Sequence, residues 1–129
     1  MLTRAFVSFD YDYDYDLVIK RALLAQSKLS DSPFAIADWS IKEASPTWKS
    51  EARSRIRRSD LVIVLCGRYT HTATGIAEEL KMAQEEGIPY FLLAGYSTGD
   101  VTKPSTALPS DKLYKWTWDN LKNLVGGSR

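Results

Sequence analysis

The chain has 129 residues, 44% of them hydrophobic and 26% charged, which suits one globular domain and excludes a disordered or membrane-embedded polypeptide. Seventeen Lys and Arg against sixteen Asp and Glu leave a formal charge of +1, so nothing in the bulk electrostatics calls for nucleic acid or an anionic membrane as partner. The lone cysteine, Cys66, excludes a disulfide framework, and the lone histidine, His71, cannot complete a zinc site, so no metal is expected.

Arg4 to Phe9 (RAFVSF) is short, β-rich and flanked by polar residues, which predicts a first buried strand. Asp10 to Asp16 then alternates Asp and Tyr as a strand-to-helix loop. Helical spacing follows, with Leu17, Val18, Ala22, Leu24, Ala25 and Leu29 on its apolar side, and Ser30, Asp31 and Pro33 end that helix. Phe34 to Trp39 (FAIADW) reads as the second strand. A polar connection through Pro46 leads into a basic helix, Trp48 to Arg58, with Ala52 and Ile56 on its inner side.

Leu61 to Cys66 (LVIVLC) is the most continuously apolar stretch, as expected of a strand covered on both faces at the centre of a sheet. There, Cys66 is read as a buried structural thiol. Gly67 to Thr72 is a predicted loop, Ala73 to Glu86 a third helix stopped by Gly87, and Ile88 to Ala94 a fourth strand. A long loop runs from Gly95 to Pro109, followed by a short edge strand within Lys112 to Trp116. Thr117 is placed to cap a last helix that carries Leu121, Leu124 and Val125 and stops at Gly126-Gly127.

Strands alternating with helices imply right-handed crossovers and a parallel sheet covered on both faces. The expected fold is therefore α/β, a flavodoxin-like three-layer sandwich with a five-stranded parallel sheet of order 2-1-3-4-5. In such sheets, ligands bind beyond the carboxyl ends of the strands, near the switch point between strands 1 and 3. That rule selects Ser8 to Asp14, Asp38 to Ser40, Gly67 to Thr74 and the start of the third helix. No apolar run is long enough to span a bilayer, and Met1 to Asp10 does not read as a signal peptide, so a cytoplasmic location is expected.

Several chemistries fail on residue type. Asp10, Asp12 and Asp14 have the alternation of a calcium loop, but the positions that need Gly and Glu hold Tyr15 and Arg21. No glycine-rich phosphate loop follows the first strand, which argues against Rossmann cofactor sites, P-loop NTPases and flavodoxin-type electron carriers. Ser8 or Ser40 with His71 and an Asp could form a hydrolase triad, but the sequence has no nucleophile elbow.

Glu79 is different. Ile76, Ala77, Leu80 and Ala83 form the inward stripe of the third helix; Glu78 points away from it and Glu79 lies on its border. A carboxylate there can project into the strand-end crevice, or it can be an ordinary solvated helix residue. Trp39 and Trp48 flank the connection beyond strand 2, where their rings could stack on a base or nicotinamide or simply pack. Trp116 and Trp118 sit where core packing is expected.

AFVSFDYD at Ala5–Asp12, SDLVIVLCGRYTHTATGIAEELKMA at Ser59–Ala83 and YKWTWDNLKNLVGG at Tyr114–Gly127 resemble TIR-like domains, a group that includes Thoeris defence proteins of the ThsB type. The resemblance spans nearly the whole chain, and its most specific part is Gly67, Thr70 and Glu79 in a strand–loop–helix arrangement. It implies cleavage of NAD at the nicotinamide–ribose bond in active members, with NAD as substrate and no separate cofactor. Glu79 falls on the family's catalytic carboxylate, Thr70 on its loop threonine, and Ser8 and Phe9 on the end of the first strand beside the ligand. Many relatives carry Trp four residues before that carboxylate, where this sequence has Gly75.

The expected substrate-contacting set is Ser8, Phe9, Asp10, Asp12, Trp39, Ser40, Trp48, Thr70 and Thr74, around Glu79. The expected function is an NAD-consuming enzyme making an ADP-ribose-derived signal in antiviral defence. The expected partners are NAD or a related nucleotide, further copies of the chain, and an effector protein that responds to the product. The alternatives are a non-catalytic interaction module and an enzyme resembling nucleoside deoxyribosyltransferases.

Overall fold

The computed structural model describes residues 2–9, 14–40, 46–95 and 101–129, with the backbone alone for 14–19. In chain order the elements are β1 (Thr3–Ser8), α1 (Asp14–Ser27), β2 (Phe34–Trp39), α2 (Trp48–Arg57) and β3 (Leu61–Cys66). They continue with α3 (Thr74–Glu86), β4 (Tyr90–Ala94), β5 (Leu113–Lys115) and α4 (Trp118–Val125). The five strands form one sheet in the order β2-β1-β3-β4-β5, and every pairing is parallel. This is the architecture expected from the alternating strand and helix patterns.

Side chains on a strand alternate between the two faces, and each face here has its own core. On one side Ala5, Val7, Phe34, Ile63, Leu65, Phe91 and Leu93 pack with Leu23 of α1 and Leu121 and Leu124 of α4. On the other, Phe6, Val62, Val64, Cys66 and Leu92 pack with Ala52 and Ile56 of α2 and Ile76, Leu80 and Ala83 of α3. All six residues of β3 are buried, as its unbroken apolar run requires. Cys66 is among them and contributes volume to the α2/α3 side.

Local chemistry sets the ends of the elements. Gly87 terminates α3 at φ 67°, a left-handed conformation that glycine adopts without a Cβ penalty. The Thr117 hydroxyl accepts from the Asn120 N–H at 3.1 Å and caps α4. α2 and α3 are laced together by Arg53 with Glu85 at 2.9 Å and by Arg57 with Glu86. Among the described side chains of α1, Leu23 is the buried apolar one, and those of Leu17 and Val18 lie outside the described residues. Ala22, Leu24, Ala25 and Leu29, expected on the apolar side, are exposed, so the actual helix face is rotated from the expected one. At about 100° per residue Leu23 lies roughly opposite the centre of the expected arc, so the sheet takes the side of the helix that the apolar spacing left outward.

The β1–β2 pairing has an irregularity that the sequence pattern did not announce. Ala5 lies opposite Ile36, but Phe6 lies opposite Asp38, leaving Ala37 as an extra, exposed residue in β2. A one-residue insertion shifts every later side chain of that strand to the other face. Ile36 and Trp39 therefore both pack on the α1/α4 side, whereas Asp38 turns to the α2 side and meets Arg55 at 3.0 Å.

Candidate functional site

The carboxyl ends of β1, β2 and β3 and the second turn of α3 converge on Glu79. This residue is 1% exposed, while its neighbour Glu78 faces outward and approaches Lys49 at 4.0 Å. Glu79 thus lies further inside the inward stripe than its border position in the helix pattern suggested. Ser8, the last residue of β1, donates its hydroxyl to Glu79 Oε1 at 2.7 Å. Ser40, just past β2, donates to the same oxygen at 2.5 Å. The Ser40 hydroxyl also accepts from the Phe9 N–H at 2.9 Å, and the Ser40 N–H donates to the Val7 carbonyl at 2.8 Å. Both serines are buried, so the polar cluster is enclosed between sheet and helix.

This cluster places a carboxyl group and two hydroxyls where the surrounding residues are apolar. A buried carboxyl group is costly to desolvate, and polar groups survive inside a protein when they are hydrogen-bonded. Two hydroxyl donors on one oxygen fix the orientation of the carboxyl plane. A carboxyl held in this way can hold sugar hydroxyls or offset positive charge developing at an anomeric carbon.

The loop before α3 is built around Thr70, within the 3-10 turn Thr70–Thr72. Thr70 is 1% exposed, and its hydroxyl oxygen accepts from the Gly67 N–H at 2.7 Å. The loop is also latched from the β4–β5 connection. The Thr102 N–H donates to the Gly67 carbonyl at 3.0 Å, and the Thr102 hydroxyl donates to the Arg68 carbonyl at 3.1 Å. The same hydroxyl oxygen accepts from the His71 N–H at 3.0 Å and lies 2.9 Å from His71 Nδ1. Thr102 was not singled out from sequence, because a contact across this separation leaves no local signal. His71 is exposed and spatially committed to this latch.

The remaining predicted site residues divide between places. Phe9, 2% exposed, and Trp39 meet edge-to-face with centroids 5.9 Å apart on the α1/α4 side of the sheet. The ammonium of Lys20 lies 4.9 Å from the Phe9 centroid and 4.7 Å from that of Trp39, a cation–π contact that no spacing in the sequence foretold. Trp48 opens α2 and packs against the α2/α3 core. Thr74 is the exposed first residue of α3. Asp10 and Asp12 lie outside the described residues. Ser8, Ser40 and Glu79 are therefore brought into direct contact, with Thr70 in the loop that precedes the helix.

The opposite end of the sheet differs. A hollow of about 460 Å³ there is lined by Gln84, Tyr90, Leu108, Asp111 and Arg129 among others. Its polar groups already serve one another: the Tyr90 hydroxyl donates to Asp111 Oδ2 at 2.7 Å, and that oxygen accepts the Leu108 N–H at 2.8 Å. Burial, opposed by Gln84 and reinforced by Asp111, pushes the Tyr90 phenol above its ordinary range. Among the described residues no group of three or more His, Cys, Asp or Glu is arranged to hold a metal ion. No helix among them is long and apolar enough to cross a membrane.

With this geometry in view, comparison with protein families is decisive for ancestry. The family described as Thoeris protein ThsB, TIR-like domain, matches residues 6–95, from β1 through β4. The chain belongs to that TIR-like family. No individually curated protein matches it significantly. The matched stretch of this TIR-like protein includes Ser8, Ser40, Thr70 and Glu79, so the polar cluster lies within the family's own portion of the fold. The family is defence-related, which agrees with the resemblance read from the strand and helix motifs.

Proposed function

We propose that this TIR-like protein cleaves NAD at the nicotinamide–ribose bond, with Glu79 as the catalytic carboxylate, and so makes an ADP-ribose-derived signal in antiviral defence. The observation that supports this reading is the carboxyl group of Glu79, enclosed at the strand ends and held by the hydroxyls of Ser8 and Ser40. Nicotinamide is a good leaving group and needs little acid assistance. What the reaction does need is a fixed negative group near the ribose, where an oxocarbenium-like charge develops. Water as acceptor yields ADP-ribose; an internal hydroxyl or ring nitrogen yields a cyclic product; another nucleophile yields a conjugate.

The residues proposed to surround the substrate are Ser8, Phe9, Asp10, Asp12, Trp39, Ser40, Trp48, Thr70 and Thr74, and NAD is a substrate rather than a resident cofactor. Self-association into a homo-oligomer and an effector protein that reads the product are the partners proposed. The test is nicotinamide release from NAD by the purified protein, with the products read by mass spectrometry. The expected result is turnover in the wild type and loss of it in Glu79→Gln. Equal turnover in that variant would remove Glu79 from the chemistry.

A non-catalytic interaction module is the second reading. It is favoured by Gly75, which leaves the first turn of α3 without an aromatic side chain facing the site. Defence activity that survives Glu79→Gln but fails on surface substitution would select it.

A further inference from the structure

Residues opposite each other on neighbouring parallel strands send their side chains to the same face. Had β1 and β2 kept the register of their first three pairs, Phe6 would lie opposite Ala37 and Ser8 opposite Trp39. Ser40 would then share a face with Phe9, on the α1/α4 side and away from Glu79. The extra residue at Ala37 changes this: Val7 lies opposite Trp39, so the next pair in the register is Ser8 with Ser40. Both hydroxyls now face α3 and reach one oxygen of Glu79, at 2.7 Å and 2.5 Å. Ser40 is also anchored to β1 on both sides of that oxygen, through its N–H to Val7 and through its hydroxyl from the Phe9 N–H.

We propose that Ser40 is a positioning residue: the irregularity at Ala37 re-aims it so that it sets the Glu79 carboxyl group, and it acts on the reaction through Glu79 rather than by contact with substrate. Ser8 is its partner in this role. The inference rests on the proposed NAD cleavage for its kinetic consequences, but its structural consequence is measurable without turnover. The hydroxyl proton of Ser40 is directed to Glu79 and its oxygen accepts the Phe9 N–H, so Ser40 has no proton to donate to a substrate while it holds the carboxyl group.

The experiment compares wild type with Ser40→Ala, Ser40→Thr, Ser8→Ala, Glu79→Gln and the Ser40→Ala/Glu79→Gln pair. For NAD, Ser40→Ala is expected to lower kcat about tenfold while KM stays within about twofold, the pattern of a misaligned catalytic group. Ser40→Thr, which keeps the hydroxyl, restores most of kcat, and Ser40→Ala adds no further loss once Glu79 is Gln. In a second arm, the carbon-13 carboxyl resonance of Glu79, assigned by its disappearance in Glu79→Gln, shifts in Ser40→Ala and in Ser8→Ala and returns in Ser40→Thr.

A raised KM with unchanged kcat would make Ser40 a substrate contact and overturn the proposal, as would additive loss in the double variant. An unmoved carboxyl resonance in both alanine variants would overturn it whether or not NAD is cleaved. If wild type leaves NAD intact while the resonance moves as expected, the proposed reaction fails and the placement of the carboxyl by Ser40 stands. Should Ser40→Ala not fold, Ser8→Ala carries both arms.

Discussion

The two faces of the sheet at the ends of β1 and β2 are built from adjacent residues and do opposite things. Ser8 and Ser40 face α3 and hold a buried carboxyl group, whereas Phe9 and Trp39 face α1 and α4 and hold an ammonium between two rings. At each strand end the two residues are consecutive in the chain. The lesson is that being at a strand end does not assign a residue to a site; the face it takes does, and in β2 that face depends on the extra residue at Ala37.

Variants can break this comparison, or sharpen it. Phe9→Ala is expected to cost about 3–5 kcal/mol of unfolding free energy, because a buried ring is replaced by a cavity beside Trp39. Denaturant titration measures it, and a loss under 1 kcal/mol, on the order of a surface change, would show that the aromatic face is not structural. Glu79→Gln is expected to do the reverse: nicotinamide release falls at least about a hundredfold, with the melting temperature held or raised. The amide still accepts both serine hydroxyls and carries no charge to desolvate.

A smaller effect is expected at Lys20. Lys20→Met keeps the apolar stem and removes the ammonium, at a cost of about 1 kcal/mol, with KM for NAD unchanged. A clear rise in KM would show that the ammonium itself bears on substrate binding. The smallest effect concerns acid stability on the α2/α3 surface. The hydrogen bond from Arg57, helped by the charges of Arg57 and Arg53 and opposed by burial, holds the Glu86 carboxyl below its ordinary range. Its contribution is therefore present above about pH 4.3 and is lost as pH falls through the lowered value. Glu86→Gln should slightly flatten the acid limb of a stability–pH curve and leave the neutral region nearly unchanged.

Much of the fold was legible because its signals are local. The unbroken apolar run of Leu61–Cys66 marks a strand covered on both faces, Gly87 marks the end of α3, and Thr117 marks the start of α4. Alternation of strands and helices then leaves a parallel sheet as the natural solution, and it is observed in the expected order. Glu79 was legible as a borderline position on a helix, because helical periodicity needs no knowledge of the partner surface. Which residues of α1 face inward was read less well, since Leu23 alone among its described apolar residues is buried.

Tertiary structure alone decided what touches Glu79. Ser8 and Glu79 are far apart in the chain, and Ser40 reaches the carboxyl only because β2 carries an extra residue opposite β1. The same is true of Thr102 on the Gly67–His71 loop and Lys20 between Phe9 and Trp39. The amino-acid order by itself determined the elements, their parallel arrangement and a carboxylate at the strand ends, because propensity, periodicity and crossover handedness act over short stretches. The register of one strand pair, and with it the make-up of the site, was decided by packing between segments that meet only in the folded chain.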